Sequence, residues 1–178
     1  MRIEEKCKKK LLVEGNDDQH IILALCKKFN IGEVFDVVDC EGIEKLYKEI
    51  PIRLKQSGIQ AIGIIIDADD DIKNRYDKIK KILPSMPSIL LEEKSTITIQ
   101  NGIKVGIWVM PNNNLNGTIE DFISFLVPED DKLMPIVDLT LENIEKKELN
   151  KYSTQYKSKA KIHTWLAWQE NPGTPMGS

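Results

Sequence analysis

The chain has 178 residues, 41% of them hydrophobic, and its 25 Lys and Arg against 28 Asp and Glu leave a net charge of −3. This length suits one domain with a small appendage, and the balanced charge excludes the overall basic character that marks many nucleic-acid-binding domains. Three widely separated cysteines argue against a disulfide framework or a zinc site, and no apolar run reaches membrane-spanning length, so we expect a protein of the reducing cytoplasm with no membrane segment.

The first half of the chain alternates short apolar runs with segments whose apolar residues recur at helical spacing. Strands are predicted at residues 9–13, 34–38 and 61–66. Each is followed by a predicted helix, with apolar positions within residues 21–29, 43–54 and 72–83. Because this β-α-β-α-β-α order is typical of parallel sheets with right-handed crossovers, we expect an α/β fold with a mostly parallel sheet flanked by helices.

An Asn101-Gly102 pair separates two alternating apolar runs, at residues 96–100 and 103–109. Asn-Gly between such runs is the strongest short hairpin signal, so we expect an antiparallel edge strand paired with a returning strand of the sheet. Thr118 then precedes apolar residues at helical spacing, and we expect it to cap a helix.

The region after Pro128 is predicted to be helical in pieces, at residues 129–134, 140–150 and 158–169. We therefore expect an α/β domain over residues 1–127 and a helical C-terminal extension over residues 128–178 that packs on it. Trp165 and Trp168 lie three residues apart on one face of the last piece. Core packing or an oligomer contact explains this pair better than base stacking does.

Lysines concentrate near both ends of the chain. One group precedes the first strand, at Lys6, Lys8, Lys9 and Lys10. We expect these four side chains to be solvated, since the net negative charge does not favour a role in binding phosphates.

Two of the predicted strands end in acidic residues. Glu14 follows the first strand, and Asp67 and Asp69 follow the third. Because the carboxyl ends of parallel strands meet at the edge where open α/β sheets bind ligands, we expect these side chains to lie together. Carboxylates in one place repel one another unless a cation neutralises them, and oxygen ligands favour Mg²⁺ or Mn²⁺ over zinc. The sequence therefore predicts a metal site at this edge.

Neighbouring acidic residues have two interpretations. Four of them follow the strands directly and either cap the next helices or bind metal: Asp17, Asp18, Asp70 and Asp71. Glu120 and Asp121 lie in the first turn of a predicted helix, where negative charge is favourable, but one of them could join the metal site. Asp18, Asp71 and Glu120 or Asp121 are therefore additional candidate ligands.

The two acidic segments resemble the motifs of a known fold. Val13-Glu14-Gly15, followed by Asp17 and Asp18, resembles the glutamate motif of the Toprim fold, and the segment 65–71 resembles its Asp-x-Asp motif. The resemblance covers about the first two-thirds of the chain. Primases, topoisomerases, a ribosomal RNA maturation ribonuclease and the OLD nucleases share this fold. The resemblance implies a divalent cation as cofactor and DNA or RNA as partner.

Within this group the chain is most similar to small stand-alone Toprim proteins related to the OLD nucleases. Gly117-Thr118-Ile119-Glu120-Asp121 resembles their third acidic motif, and residues 159–169 resemble their C-terminal helix. The resemblance implies a catalytic lysine beside the metals, for which Lys159 and Lys161 are the candidates. The sequence contains no G-x-x-x-x-G-K-[ST] motif, so an accompanying ATPase would be a separate chain.

These observations lead to one expected function and two alternatives. We expect metal-dependent phosphodiester cleavage of nucleic acid, with Glu14 as a metal ligand or as a general acid or base. A non-catalytic module that binds nucleic acid or a partner protein is the first alternative. The second is an enzyme that transfers phosphoryl groups on nucleotides.

Overall fold

Five strands form one sheet in a computed structural model that describes residues 5–84, 97–173 and 176. They are β1 (Lys9–Val13), β2 (Asp36–Asp39), β3 (Ala61–Asp67), β4 (Ile97–Gln100) and β5 (Ile103–Met110). The sheet order is β2-β1-β3-β5-β4, and all neighbours are parallel except β4 and β5. The predicted α/β class, with a mostly parallel sheet and one antiparallel hairpin, is confirmed and is Rossmann-like.

The described residues also form six α-helices that flank the sheet. They are α1 (Asn16–Lys28), α2 (Ile43–Lys55), α3 (Ile72–Ile82), α4 (Ile119–Leu126), α5 (Met134–Lys146) and α6 (Lys157–Ala167), with a 3₁₀ turn at Thr154–Tyr156. None of the helices in these ranges combines the length and the apolar character needed to cross a membrane.

Each face of the sheet supports its own hydrophobic core, because side chains alternate along a strand. Ile62, Ile64 and Ile66 of β3 pack with α2 and α3 on one face. Ile65 points to the other face and packs with residues of α1, α4 and α6. A central strand that is buried on both faces reads as a continuous apolar run, which is what predicted β3 from the sequence.

The order of the strands creates a crevice at the carboxyl edge of the sheet. β1 has β2 on one side and β3 on the other, so the crossover from β1 to β2 and the crossover from β2 to β3 run in opposite directions along the sheet. Leu12 pairs with Val38 on one side and with Ile64 on the other. Ligands bind open α/β sheets at such a reversal, outside the carboxyl ends of the strands. The ends of β1 and β3 are therefore the expected place for a functional site.

The Asn101-Gly102 hairpin is confirmed. Both turn residues have positive φ, 51° at Asn101 and 78° at Gly102, as a two-residue type I′ turn requires. The hairpin joins β4 to β5, and β5 returns beside β3 in parallel register. Thr96, the first residue of the predicted edge strand, lies outside the described residues.

Of the two predicted helical pieces before the last helix, 129–134 is wrong except at its last residue, and 140–150 is helical only over residues 140–146. Residues 127–133 are irregular, and one helix, α5, spans Met134–Lys146. The Oδ1 atom of Asp131 accepts hydrogen bonds from the backbone N–H groups of Leu133 and Met134, which stops the helix from starting earlier. Pro135 lies in the first turn of α5, where a missing N–H costs nothing.

The C-terminal helices share a core with the sheet. Ile162 of α6 is fully buried and belongs to the same hydrophobic cluster as Val13 and Met110. The indole nitrogen of Trp165 donates a hydrogen bond to Asp131 at 3.2 Å, which links α6 to the loop before α5. Trp168 remains 42% exposed. The division of the chain at residue 127 and an oligomer contact through the tryptophans stay predictions.

Lys10 corrects the expectation that the N-terminal lysines are solvated. Its side chain is only 4% exposed, and its ammonium contacts Asp36 at 2.6 Å and Glu5 at 3.0 Å. Asp36 also accepts the backbone N–H of Cys7 at 2.8 Å. Burial opposes ionisation, but these contacts prevail: they hold the pKa of Asp36 below its usual value and raise that of Lys10. A charged residue is tolerated inside β1 because two carboxylates pair with its ammonium.

Removing Asp36 is expected to destabilise the fold more than removing the whole ion pair. Asp36→Ala leaves the Lys10 ammonium buried with only Glu5, so the free energy of unfolding should fall by about 2–4 kcal/mol. Adding Lys10→Met to this variant removes the uncompensated charge and should recover part of the loss. Urea unfolding of the single and double variants measures both effects. A double variant that is less stable than Asp36→Ala would contradict the explanation.

Candidate metal centre

Glu14 and Asp67 meet at the crevice between β1 and β3. Glu14 follows the last residue of β1, and Asp67 is the last residue of β3. The backbone N–H of Asp67 points at the Oε2 atom of Glu14, 3.5 Å away. Two residues that are 53 positions apart in sequence are thus brought together by the parallel pairing of adjacent strands.

Glu14 and Asp67 line a cavity of about 910 Å³ at the carboxyl edge of the sheet. The N-terminal ends of α1 and α4 border it, and so does the segment that precedes α6. Seven of the candidate site residues line the cavity: Glu14, Asp18, Asp67, Asp69, Glu120, Asp121 and Lys159. The structure therefore gathers acids from three separate segments of the chain around one space.

Asp67 has the most perturbed carboxyl group of the cavity. Its Oδ1 atom is buried and has no hydrogen-bond partner. Burial, followed by the negative charges of Asp18 and Glu14, raises the pKa of Asp67 to about 9. An isolated buried carboxylate is costly, so this group will hold a proton at neutral pH unless a cation balances its charge.

One carboxylate oxygen of Asp18 holds the start of α1, and the other has no hydrogen-bond partner. Its Oδ2 atom accepts the backbone N–H of Gly15 at 3.0 Å, which ties down the first turn of α1. Gly15, rather than Asn16 or Asp17, is the capping residue of this helix. The Oδ1 atom of Asp18 is buried without a partner. Burial and the nearby charge of Glu14 raise the pKa of Asp18 to about 7.

Glu14 and Asp69 share a positive neighbour, Arg75 of α3. Burial raises the pKa of Glu14, and the charge of Arg75 partly opposes this effect. The Arg75 guanidinium forms an ion pair with Asp69, and its side chain is only 15% exposed. Asp69 has a left-handed backbone with φ of 50°. Its carboxylate is thus held beside Arg75 while still lining the cavity.

The loop after β3 is clamped by the loop before α4. Asp69 and Gly117 exchange two backbone hydrogen bonds, each 2.9 Å long. The Asn116 side chain accepts the N–H of Ile72 at 3.0 Å and donates to the carbonyl of Asp70 at 2.5 Å. These four bonds fix the acidic loop against the rest of the site.

Glu120 and Asp121 connect the cavity to the C-terminal helix. Glu120 is 4% exposed, accepts the Thr118 hydroxyl at 2.7 Å and lies 3.5 Å from the Lys159 ammonium. Asp121 accepts the backbone N–H of Thr118 at 2.8 Å and the Ser158 hydroxyl at 2.6 Å. Asp121 is therefore committed to structural bonds, whereas Glu120 faces the single lysine that the described residues contribute to the cavity wall.

Two candidate residues do not line the cavity. Asp71 accepts the backbone N–H of Asn74 at 2.9 Å and caps α3, which is the alternative that the sequence left open. Lys161 lies two residues after Lys159 in α6, and its ammonium contacts Asp138 of α5 at 2.8 Å. Of the two candidate lysines, the structure brings only Lys159 to the acids.

The chemistry of this cavity fits Mg²⁺ or Mn²⁺. Its candidate ligands are carboxylate oxygens, and the two buried oxygens of Asp18 and Asp67 lack any partner. Within the described ranges, however, no three His, Cys, Asp or Glu side chains are arranged to share one ion. Binding through three of these residues would therefore need side-chain rotation, and for Asp69 this means leaving Arg75.

Several residues of the site could not be singled out from the sequence. Arg75 appears there only as a polar position of a predicted helix, and Asn116 as part of a polar loop. Ser158 precedes the candidate Lys159, and nothing in its surroundings marks it as a partner of Asp121. The one signal that each of them offers is a short sequence distance to a predicted site residue. Many polar residues share this property, so it does not identify a contact.

Known proteins give a family but no activity. The family described as "Protein of unknown function (DUF3226)" matches residues 8–178. No curated protein and no solved structure matches the chain. Since the family match spans nearly the whole sequence, the chain belongs to the DUF3226 family.

Proposed function

We propose that the protein cleaves phosphodiester bonds of nucleic acid with the help of Mg²⁺ or Mn²⁺ at this cavity. The observation that carries the proposal is the pair of buried, unpartnered carboxylate oxygens on Asp18 and Asp67, beside Glu14. Such groups are stable in a folded protein only when protonated or when bound to a cation. A hard divalent cation would accept them as ligands and would supply Lewis acidity and an activated water.

The residues around the cavity divide into two groups by their contacts. Asp18, Asp67 and Asp69 would hold the cation, because all three line the cavity and a carboxylate oxygen of Asp18 and of Asp67 has no hydrogen-bond partner. Lys159 would contact the phosphate, since its ammonium is half-exposed and only loosely paired with Glu120. A polyanionic substrate needs such a positive group among so many acids.

Glu14 is the residue best suited to move a proton. Burial raises its pKa above the usual glutamate value, which favours the protonated form that a general acid needs. It also lies beside Asp67, so it could instead be a ligand. The resemblance of the segments around Glu14 and Asp67 to the two Toprim motifs supports the same activity and the same two roles.

A cleavage assay tests the proposal. Single-stranded DNA, duplex DNA and RNA should be cut in Mn²⁺ or Mg²⁺ but not in EDTA, for at least one substrate. Glu14→Gln is expected to lower kcat by about 100- to 10,000-fold, the usual contribution of a general acid or base. Asp67→Asn should lower both activity and cation affinity. Asp77→Asn, an exposed acid of α3 outside the cavity, is the matched control and should cut like the wild type.

Two results would contradict the proposal. Equal cleavage by the wild type, Glu14→Gln and Asp67→Asn would place the activity elsewhere or in a contaminant. Calorimetry that finds no Mn²⁺ binding by the wild type, or equal binding by Asp67→Asn, would remove the metal site. Transfer of phosphate from a free nucleotide without cleavage of any polymer would instead favour the phosphoryl-transfer alternative.

A further inference from the structure

An exposed tyrosine lies in the wall of the cavity, in the turn that precedes α6. The 3₁₀ turn Thr154–Tyr156 contributes all three of its residues to the cavity lining. Tyr156 is 53% exposed, although it belongs to a residue type that normally buries most of its ring. Lys159, which borders Glu120, follows within one helical turn. The aromatic ring thus lies on the same wall as the one lysine beside the acids.

The segment that carries Tyr156 is anchored on both sides. Glu145 of α5 accepts the Tyr152 hydroxyl at 2.9 Å and the Lys157 ammonium at 2.7 Å. Ser158 donates to Asp121 of α4 at 2.6 Å. These bonds anchor the residues before and after Tyr156, and none of them involves the Tyr156 side chain. An exposed aromatic ring on an anchored segment costs less conformational entropy to order, when a flat ligand stacks on it, than a ring on a free loop does.

The charge around the cavity limits which nucleic acid can enter. Of the described residues that line it, ten are acidic and one, Lys159, is basic. A duplex is bound mainly through contacts of Lys and Arg with the phosphates of both strands. The acidic surface of this cavity would repel those phosphates. A single strand can turn its bases toward the protein and can bind through stacking instead. A volume of about 910 Å³ is also that of a pocket for a small ligand and not of a groove for a duplex.

We propose that Tyr156 is the stacking platform for an unpaired base and that the substrate is single-stranded nucleic acid. This inference rests on the function proposed above and adds the class of substrate. The base would stack on the Tyr156 ring while its phosphate approaches Lys159 and the acidic residues. Trp165 and Trp168 do not line this cavity, and among the described residues that do, Tyr156 is the one with an aromatic ring.

Binding of fluorescein-labelled oligonucleotides tests the inference. Anisotropy should be measured in Ca²⁺, which also takes oxygen ligands, with a short single-stranded DNA, an RNA of the same sequence and the matching duplex. Tyr156→Ala should weaken single-strand binding by about 5- to 150-fold, the range for loss of one base–aromatic stack. Tyr156→Phe keeps the ring and should bind within about twofold of the wild type. Phe125→Ala, an equally exposed aromatic outside the cavity, is the matched control and should also bind normally.

The possible failures are separable. If Tyr156→Ala binds single strands like the wild type, or if Tyr156→Phe loses as much affinity as Tyr156→Ala, stacking is wrong. A wild type that prefers the duplex would also overturn the inference. In each of these cases the proposed cleavage stands, provided that Asp67→Asn is inactive and the wild type is active. A wild type that binds none of the probes would overturn the inference, and the cleavage assay in Mn²⁺ or Mg²⁺ would then decide the proposed function separately.

Discussion

Asp67→Asn is expected to stabilise the protein at neutral pH in EDTA and to remove its stabilisation by Mn²⁺. The buried carboxyl of Asp67 has a pKa of about 9 in the folded chain, against 3.8 for an ordinary aspartate. At pH 7 the folded state therefore holds a proton that the unfolded state has released. Because pH 7 lies about three units above the pKa of the unfolded state, keeping Asp67 protonated in the folded state costs about 4 kcal/mol of stability. Asparagine cannot ionise and so does not have this cost.

The sign of the pH dependence follows from the raised pKa. A carboxyl group that binds a proton more tightly in the folded state makes the free energy of unfolding fall as pH rises between the two pKa values. Asp67 contributes this decline from about pH 4 to about pH 9, and Asp18 contributes it from about pH 4 to about pH 7. Between pH 7 and pH 9 the decline is thus due mainly to Asp67, at up to about 1.4 kcal/mol per pH unit.

The net gain from Asp67→Asn should be smaller than the full ionisation cost. A buried amide without partners costs about 1–3 kcal/mol, so the variant should be about 2 kcal/mol more stable than the wild type at pH 7 in EDTA. Mn²⁺ should reverse the order, because a ligand stabilises only the folded chain that binds it. Saturating Mn²⁺ is expected to raise the stability of the wild type and to leave the variant unchanged.

Urea unfolding at pH 5, pH 7 and pH 9, with EDTA or Mn²⁺, measures these effects. Asp77→Asn controls for the loss of one negative charge and should keep the pH dependence of the wild type. If the wild type is equally stable at pH 7 and pH 9 in EDTA, Asp67 is ionised at neutral pH and the explanation is wrong. An Asp67→Asn variant that Mn²⁺ stabilises as much as the wild type would show that the cation binds elsewhere.

The strands and most helices could be predicted because local patterns agree with the tertiary fold. β3 is apolar at every position from Ile62 to Ile66 apart from Gly63, since it is covered on both faces. The hairpin was predictable because a type I′ turn needs positive φ at both central residues, which Asn and Gly tolerate better than other residues do. The start of α5 was mispredicted because a capping contact from Asp131 and a proline in the first turn determine where this helix begins. Neither effect changes the hydrophobic pattern.

The site was only partly predictable for a different reason. The β-α-β-α-β sequence predicts that Glu14 and Asp67 lie at the same edge of the sheet, and the observed strand order places them side by side. The orientation of each carboxylate depends on partners that are distant in sequence, such as Asn116 for the acidic loop and Ser158 for Asp121. Such contacts cannot be predicted from a single sequence, because many other polar residues of the same types lie at similar sequence distances from the acidic motifs. Periodicity locates an acid at the sheet edge but does not say which of its oxygens remain free.

Gly117→Ala is expected to be the most damaging substitution of a single small residue in the site. Gly117 has φ of 143°, a backbone conformation that residues with a Cβ rarely adopt. An added Cβ would lie 2.6 Å from the Oδ2 atom of Asp121 and 3.2 Å from Pro111. Asp121 cannot easily move away, since it already binds the Thr118 N–H and the Ser158 hydroxyl.

The cost should appear in stability and in function together. Backbone strain and overpacking each contribute about 1–3 kcal/mol, so the free energy of unfolding is expected to fall by about 2–5 kcal/mol. A shift of Gly117 would also break its two bonds to Asp69 and displace the acidic loop. We therefore expect Mn²⁺ affinity to fall at least about tenfold, similar to the loss of a group that orients a metal ligand.

Gly58→Ala separates strain from the clash. Gly58 also has a positive φ, 85°, but an added Cβ would meet no atom within 4 Å. This control should lose only about 1–2 kcal/mol and should keep the Mn²⁺ affinity of the wild type. Combining Gly117→Ala with Asp121→Ala removes the atom that clashes, so the glycine substitution should cost less in that background. Equal losses for Gly117→Ala and Gly58→Ala, or equal losses with and without Asp121, would show that the close contact with Asp121 does not limit this position.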